Sequence, residues 1–342
     1  MGRFISFSKI GQLKSVVANI RKESKWYQTE EPTIKFHGTV KSHGTNAGVV
    51  FAPDGEYHIQ SRKNVINLKK DNAGFAMFAE QHIESFKKFN KDIREANPEL
   101  VDETLAFFGE WAGQGIQKGV AISEIPKFFI MFAVKVKAKV KAENGEEVGT
   151  YLTKDKWEMF KDEDSRIFNV NDFPSYDIEI DFKNPQLQVN TITDLVDQVE
   201  TECPIGKRFG VKGVGEGIVW VGHSDNGTRY VFKTKGEKHS ATKVKVLVPV
   251  DIEKVKGIQE FVDYALTENR LNQGIEQVFT STSTEVSNKG TGNFLKWIVN
   301  DIIDEETETL VASGLEVKDV NKVLSKSARD WFFKYIDSTL GM

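Results

Sequence analysis

Two lysines near the start of the chain have the surroundings of a nucleophile. In TIKFHGTVKSHGTNAGVVF, residues 33–51, Lys35 and Lys41 each begin the pattern Lys-x-His-Gly-Thr. A lysine amine attacks phosphorus or carbonyl carbon once its pKa is lowered, and it then forms a covalent intermediate. The shorter pattern Lys-x-x-Gly recurs elsewhere, for example from Lys207 and Lys254, so it is not specific. The position of each lysine within its element must decide between the two.

The elements around these lysines favour Lys41. Residues 33–40 have the composition of a β-strand, and Lys35 lies inside it, where a strand lysine is usually solvated. Lys41 stands where this strand gives way to a turn before the next predicted strand, residues 47–51. Gly44 in that turn allows backbone to approach a ligand closely. Spacing alone therefore favours Lys41 without excluding Lys35.

A second group of basic residues lies near residue 235. Lys233 and Lys235 are two apart in the strand-like run RYVFKTK, so their side chains lie on one face of a sheet. Such lysines also occur on exposed strand edges, where they discourage aggregation. Between residues 229 and 245 there are six basic residues and one acidic residue: Arg229, Lys233, Lys235, Lys238, Lys243 and Lys245 against Glu237. This stretch predicts a local anion site in a chain of net charge -4.

Turn chemistry and periodicity predict an α+β fold in two parts. Hairpin signals centre on Pro53-Asp54-Gly55, on Asn144-Gly145 and on Asp225-Asn226-Gly227, with alternating or β-rich runs on both sides. Helical spacing interrupts them in FAMFAEQHIESFKKF, residues 75–89, and dominates after residue 250. We therefore expect an antiparallel-sheet domain over residues 1–245 and a small all-α domain over residues 251–342.

Composition excludes several classes of protein. Cys203 is the single cysteine of 342 residues, which excludes an internal disulfide and a multi-cysteine zinc site within one chain. No apolar segment has the length of a signal peptide or a membrane span. We expect a cytoplasmic protein that does not associate with membranes.

Six short motifs together resemble the core of the covalent nucleotidyltransferases. They are, in order, GTVKSHGTN, SRKN, FGEWAGQGIQKGV, FFIMF, GVGEGIVW and FKTK, and the resemblance extends over about residues 33 to 245. The set is most similar to the type-2 RNA ligases of bacteriophages and of kinetoplastid RNA editing. The first motif of that family has Asn five residues after the nucleophile. Asn46 occupies this place relative to Lys41, whereas Val40 follows Lys35, so the resemblance selects Lys41.

The resemblance implies a fold and a reaction. The fold is an ATP-grasp-like adenylyltransferase domain followed by the helical domain. Lys41 would attack ATP to give lysyl-AMP, AMP would move to a 5′-phosphate of RNA, and a 3′-hydroxyl would then displace it. Lys233 and Lys235 would contact the α-phosphate and depress the pKa of Lys41 by like-charge repulsion. Glu216 would help to hold Mg²⁺ or Mn²⁺ and pair with the lysine in some steps.

Other site residues follow from the same resemblance. Glu110 would accept hydrogen bonds from the ribose, Phe132 would stack on adenine, and Arg62 would contact phosphate or the strand end. The residue after Phe132 is Ala133, where related enzymes often have an acid, so the chain departs from the family's pattern here. Contacts of the substrate with the protein are expected from three further residues: His43 and Asn46 would contact the RNA ends, and Lys118 would contact phosphate.

Two other classes of function compete with an RNA ligase. DNA ligases and capping guanylyltransferases share the motif order, but they usually have Asp where His43 stands. A non-catalytic RNA-binding protein could use the basic stretch and the aromatic residues without chemistry. The complete set of candidate site residues argues against this alternative: Lys41, Glu110, Glu216, Lys233 and Lys235. The expected partner is RNA, as a nicked duplex or an RNA–DNA hybrid. The expected protein is a monomer, with a bacteriophage gene in a bacterial host as one source.

Overall fold

The structure is a computed structural model that describes residues 4–137, 149–236, 238, 257–280, 282 and 284–340. The strands are β1 (Thr33–Val40), β2 (Thr45–Phe51), β3 (Tyr57–Ser61), β4 (Val65–Ile66), β5 (Leu105–Ala112), β6 (Phe128–Val136), β7 (Thr150–Tyr151), β8 (Ile167–Asn169), β9 (Ser175–Asp181), β10 (Gly217–His223) and β11 (Arg229–Lys235). The α-helices are α1 (Leu13–Tyr27), α2 (Phe75–Gln81), α3 (Ile83–Ala96), α4 (Val189–Thr201), α5 (Pro204–Arg208), α6 (Ile258–Ala265), α7 (Glu268–Ile275), α8 (Thr291–Ala312) and α9 (Val317–Leu340).

The chain folds into two compact units that each combine separate segments. The first unit comprises the described residues of Met1–Lys9, Ser42–Ser175 and Pro204–Gly213, and the second those of Ile10–Lys41, Tyr176–Cys203 and Val214–Met342. The stretch 245–251, where the sequence predicts a domain boundary, lies outside the described residues.

The first unit is built on a seven-stranded sheet, in which six strands follow the order β4-β3-β2-β5-β6-β7 and the seventh, β8, pairs in parallel with β6. The central strands β2 and β5 are buried along most of their length, which requires apolar layers on both faces. Helix α3 supplies part of one layer, since Phe86, Phe89 and Ile93 recur at helical spacing and are buried. The single helical run expected over residues 75–89 is two helices that meet at His82.

The second unit contains a four-stranded sheet of order β11-β10-β1-β9. Alternate side chains of β1 and β11 are buried, among them Phe36 and Phe232, whose rings lie 5.1 Å apart between centroids. The other face carries the polar side chains of the same strands, including Lys233 and Lys235. The strand predicted over residues 33–40 is confirmed with the same bounds.

Helices α6 to α9 form the C-terminal part of the second unit around an apolar core that includes Phe261, Phe294 and Phe332. One charged side chain crosses this core: Arg270 is almost fully buried and pairs with Asp301 and Glu306. The antiparallel sheets and the helical C-terminal region confirm the predicted α+β class.

Two of the three predicted hairpins are confirmed, β2–β3 around Asp54 and β10–β11 around Asn226. For the third, β6 and β7 pair as expected. The predicted turn around Asn144 lies outside the described residues. None of the helices in the described part of the chain is both long and apolar enough to cross a membrane.

Candidate active site

Lys41 lies at one end of the four-stranded sheet of the second unit, where the strands β1 and β11 end and β10, which lies between them, begins. It follows the last residue of β1, and its backbone N–H donates to the carbonyl of Gly217, the first residue of β10, at 2.8 Å. In the next pair, Gly217 stands opposite Lys235, the last residue of β11. The residue before β10 is Glu216. The strand ladder therefore brings together Lys41, Glu216 and Lys235 from distant parts of the sequence.

Glu216 binds both of these lysines. Its Oε2 lies 2.6 Å from Nζ of Lys41, and its Oε1 lies 3.1 Å from Nζ of Lys235. The Glu216 side chain is only 2% exposed, whereas both lysines keep about a fifth of their surface in solvent. A buried carboxylate is tolerated when charged partners satisfy its oxygens. We call the set of Lys41, Glu216, Lys233 and Lys235 the lysine centre.

Gly217 permits this arrangement because its backbone takes a conformation that is unfavourable for other residues. Its φ is +150°, and a Cβ atom at this position would lie 2.1 Å from the carbonyl oxygen of Thr234 on β11. The backbone N–H of Gly236 also donates to the Glu216 carbonyl at 3.1 Å. Close contact between β10 and β11 thus fixes the backbone that carries Glu216.

Lys233 shares the face of Lys235 but has a different partner. Its Nζ lies 2.8 Å from Oε1 of Glu305 on α8, and both side chains are 18% exposed. Burial lowers the pKa of Lys233 from its usual value, and the neighbouring charges of Lys235 and Lys41 act in the same direction against the effect of Glu305. Glu305 was missed by the sequence reasoning, because it stands in a run of acidic helix residues without a recognisable motif.

The pKa of Lys235 is shifted in the opposite direction to that of Lys233. Burial acts to lower its pKa, but the carboxylate of Glu216, supported by Glu305 and Asp301, outweighs burial and holds the pKa above its usual value. Within one strand the structure therefore gives two lysines opposite electrostatic environments.

Lys35, the other candidate nucleophile, lies in a different environment. Its side chain is 88% exposed, and Nζ is 4.0 Å from the carboxylate of Glu179. A surface pair at this distance contributes little to stability. Of the two repeated lysines, only Lys41 thus lies beside a buried acid and a second lysine.

A second group of candidate residues lies on one face of the sheet in the first unit. Asn46 and Glu110 are directly opposite each other in the pairing of β2 with β5, so their side chains are neighbours. The carboxylate of Glu110 accepts a hydrogen bond from the backbone N–H of Gly44 at 3.1 Å. A Cβ atom at Gly44 would lie 2.2 Å from the Trp111 carbonyl oxygen, so a glycine is needed for this close approach.

Phe132 is the extra residue of a β-bulge. In the pairing of β5 with β6, Phe108 lies opposite Ala133 and Gly109 lies opposite Met131, which leaves Phe132 without a residue across from it. Its ring is partly exposed and lies 5.1 Å from that of Phe7, which also lies 5.1 Å from Phe108. Ala133 is buried in the sheet.

Two buried oxygens near this face have no hydrogen-bond partner among the described residues, Oδ1 of Asn46 and Oε1 of Gln117. Gln117 is 2% exposed, and its Nε2 donates to the Gly44 carbonyl at 3.3 Å. A buried acceptor without a partner is rare in proteins and indicates a place for water or for a ligand that donates a hydrogen bond. Gln117 lies within the motif FGEWAGQGIQKGV, but the sequence alone predicts no role for it.

The remaining predicted residues are less closely tied to these groups. Arg62 follows β3 and is exposed, with its guanidinium carbon 5.6 Å from the centre of the Phe7 ring. His43 is partly buried in the turn between β1 and β2. Lys118 is exposed, and the part of the chain that the structure describes gives it no hydrogen bond or ion pair.

The donor set of the lysine centre limits how a metal ion could be held. The described residues contain no group of three or more His, Cys, Asp or Glu side chains placed to bind one. Both oxygens of Glu216 face ammonium groups. Mg²⁺ is often held by one or two carboxylates together with substrate phosphates and water. Glu216 fits a site of that kind and does not fit a site made by protein ligands alone.

Several solved structures resemble the chain weakly. A lysine variant of Naegleria gruberi RNA ligase with ATP and Mn has 17% sequence identity and a TM-score of 0.42. A second variant of that ligase, with AMP and Mn, gives the same two values, and the ligase with PPi gives 16% and 0.41. Each comparison covers 69% of this chain and 56% or 57% of the Naegleria chain, so the chain spans little more than half of those proteins.

A search of curated proteins gives no match. The model of the family described as RNA ligase, in contrast, matches residues 34–235. This segment begins in β1 before Lys41, contains Glu110, Phe132 and Glu216, and ends at Lys235. Because the match extends over more than half of the sequence, the chain belongs to the RNA ligase family.

Proposed function

We propose that the protein is an ATP-dependent RNA ligase of the type-2 kind, which joins 5′-phosphate and 3′-hydroxyl ends through a lysyl-AMP intermediate. The observation that carries this proposal is the pairing of Lys41 with the buried Glu216 at 2.6 Å, next to Lys235. Membership of the RNA ligase family supports the reaction class.

The first step is the attack of Lys41 Nζ on the α-phosphorus of ATP. A bond forms between Nζ and the α-phosphorus. The bond between the α-phosphorus and the oxygen that bridges to the β-phosphate breaks, and pyrophosphate leaves. The amine must lose a proton before it can attack. Glu216 holds Nζ in position and lies within hydrogen-bond reach of that proton. Lys233 and Lys235 stabilise the negative charge that develops on the α-phosphate oxygens.

The next two steps move AMP and then release it. A 5′-phosphate oxygen of RNA attacks the phosphorus of lysyl-AMP, the P–N bond breaks, and Lys41 takes up a proton. The 3′-hydroxyl then attacks the 5′-phosphate, its proton is lost, and AMP leaves as the phosphodiester bond forms. Lys233 and Lys235 can serve all three steps, because each step places charge on phosphate oxygens.

We assign the nucleoside and phosphates of ATP to three further residues that the resemblance to the family indicates. Phe132 stacks on adenine, Glu110 accepts hydrogen bonds from ribose hydroxyls, and Arg62 contacts phosphate. The β-bulge and the partial exposure of Phe132 support its role, since a stacking ring must be accessible. His43 and Asn46 contact the RNA ends, and Lys118 contacts phosphate.

Glu216 is also the residue we assign to a divalent metal, Mg²⁺ or Mn²⁺. When bound, such an ion neutralises phosphate charge in these reactions. The carboxylate of Glu216 would hold the ion directly or through water, and the nucleotide would supply the other ligands.

The substrate we propose is RNA with a nick in a duplex or an RNA–DNA hybrid, and the protein acts as a monomer. Residues 1–245 carry the adenylylation chemistry, and residues 251–342 contribute mainly to RNA binding. This division follows from the motifs, which all end before residue 246.

The proposal is tested by incubating the protein with labelled ATP, GTP or NAD and Mg²⁺, followed by a denaturing gel. An RNA ligase is labelled by ATP, and acid releases the AMP because a phosphoramidate is acid-labile. Labelling by GTP would indicate a guanylyltransferase, and labelling by NAD another class of ligase. An unlabelled protein would contradict the proposal and favour a non-catalytic RNA-binding protein.

A further inference from the structure

Helix α8 of the second unit places the carboxylate of Glu305 beside Lys233 of the lysine centre. Oε1 of Glu305 on α8 lies 2.8 Å from Nζ of Lys233, and each of the two side chains is 82% shielded from solvent within the unit. The contact joins residues 72 positions apart in the sequence. It therefore depends on how α8 packs, and no local sequence preference creates it.

Further contacts near Glu305 hold this part of α8 in place. Nζ of Lys14, in the first turn of α1, donates to Oγ1 of Thr309 at 3.0 Å and lies 3.6 Å from Oε2 of Glu306. Thr309 is one helical turn after Glu305, and Glu306 is buried. These contacts hold the turn of α8 that directly follows Glu305.

The anion at Lys233 is of the same kind as the proposed substrate group. A carboxylate oxygen and a phosphate oxygen both accept charge-assisted hydrogen bonds from a lysine ammonium. Glu305 also contributes to the electrostatic environment of Lys235, together with Asp301. The carboxylates of α8 therefore act electrostatically on Lys233 and Lys235, the two lysines to which we assign the contact with the α-phosphate.

We infer that Glu305 is an internal competitor for phosphate: its carboxylate occupies the anion-binding position of Lys233 and must be displaced before ATP can be attacked. This inference rests on the proposed function, in which Lys233 contacts the α-phosphate. An equilibrium between the carboxylate-bound and the phosphate-bound lysine reduces the apparent affinity for ATP by the fraction of time that Lys233 is occupied. The contact is a built-in inhibitory device that the α-phosphate of ATP relieves.

A purely supporting role for Glu305 predicts the opposite effect. If Glu305 oriented Lys233 towards the phosphate, removing its charge would weaken ATP use. The sign of the change therefore separates competition from orientation.

The decisive measurement is the ATP concentration that gives half-maximal protein–AMP labelling, with the full chain at pH 7 and fixed Mg²⁺. In Glu305→Gln, which keeps the size of the side chain, we expect this concentration to fall about three- to tenfold, as for the loss of a partly buried ion pair. Glu305→Asp shortens the side chain by one methylene and should give a smaller decrease. Asp304→Asn removes a charge from the neighbouring, exposed position of α8 and should leave the value unchanged.

A second measurement avoids the chemical step. AMP, whose single phosphate is the α-phosphate of ATP, titrated into the same proteins in a calorimeter should bind Glu305→Gln more tightly than the wild type by a similar factor. Either result alone, unchanged or weaker binding or an unchanged or higher ATP requirement, would overturn the inference.

Labelling of the wild type and of Glu305→Gln distinguishes a wrong inference about Glu305 from a wrong assignment of the ligase reaction. If the wild type forms lysyl-AMP but Glu305→Gln has the wild-type ATP dependence, competition by Glu305 is wrong and the ligase assignment stands. If the wild type forms no adduct with ATP, the proposed function is wrong, and the inference that Glu305 competes with the α-phosphate is then wrong as well. Thermal unfolding of each variant establishes that the compared proteins are folded.

Discussion

The Nζ atom of Lys41 lies 2.6 Å from Oε2 of Glu216, a carboxylate that is almost completely buried. The other oxygen of the same carboxylate binds Lys235, so one acid balances two ammonium groups. A change at any member of this trio alters the charge balance of the other two.

Lys41→Arg should abolish labelling by ATP, because a guanidinium stays protonated at any usable pH and cannot attack phosphorus. Lys35→Arg is the matched control, since Lys35 has the same local pattern but is exposed, and it should keep most of the labelling. Lys41→Arg should still seal, at least weakly, a nick whose 5′ end was adenylylated in advance. Peptide mapping that placed AMP on Lys35 would contradict the assignment.

Glu216→Gln should reduce the rate of adduct formation by about 100-fold or more, the scale seen when a preorganised electrostatic group is lost from an active site. The amide cannot balance both Lys41 and Lys235, which would be left close together with uncompensated charge. Labelling rates at saturating ATP measure the effect. Glu179→Gln, which removes the acid beside Lys35, is the control and should label like the wild type.

Phe132→Ala should raise the ATP concentration for half-maximal labelling by about 10-fold, because loss of base–aromatic stacking costs about 1–3 kcal/mol per base. The maximal labelling rate should change less, since the lysine centre is untouched. Phe132→Tyr keeps the ring and is expected to remain close to the wild type. Equal ATP dependence in the alanine variant would remove Phe132 from the adenine site.

The stability of the protein should decrease on acidification, in part through His58. Burial lowers the pKa of His58 below its usual 6.5, so the unfolded chain binds this proton more readily than the folded chain. The resulting contribution to the free energy of unfolding is complete above about pH 6.5 and is lost as the pH falls through the lower folded-state pKa. The slope stays below the maximum of about 1.4 kcal/mol per pH unit, because solvent screens the partly exposed ring.

Melting temperatures of His58→Gln and the wild type, measured between pH 7.5 and 5, check this expectation. The variant should lose less stability over that range. Some pH dependence remains, because burial also lowers the pKa of His223. A variant with the same decrease as the wild type would show that His58 does not contribute.

Local sequence signals predicted the elements around the lysine centre well. Strand β1 and the hairpin β10–β11 follow from alternation and turn residues, and the common face of Lys233 and Lys235 follows from the two-residue period of a strand. The position of Lys41 at a strand end also follows from the turn after it. These features depend on residues close together in the chain.

Features that depend on distant segments could not be predicted in this way. The contact between Lys233 and Glu305 requires the packing of α8, which no residue near Lys233 specifies. The buried oxygen of Gln117 becomes conspicuous only when its surroundings are known. The break between α2 and α3 at His82 was also missed, because the apolar spacing continues across it.

The bulge in β6 makes Phe132 a supernumerary residue of the ladder, and this has a consequence for insertions and deletions. Loss of residue 132 alone would put Met131 and Ala133 in successive positions opposite Gly109 and Phe108, and a regular pairing with β5 would result. Every other side chain of the strand would keep its face. The ring proposed to stack on adenine can therefore be removed by a one-codon deletion while the sheet stays in register, which makes the nucleobase contact genetically separable from the fold.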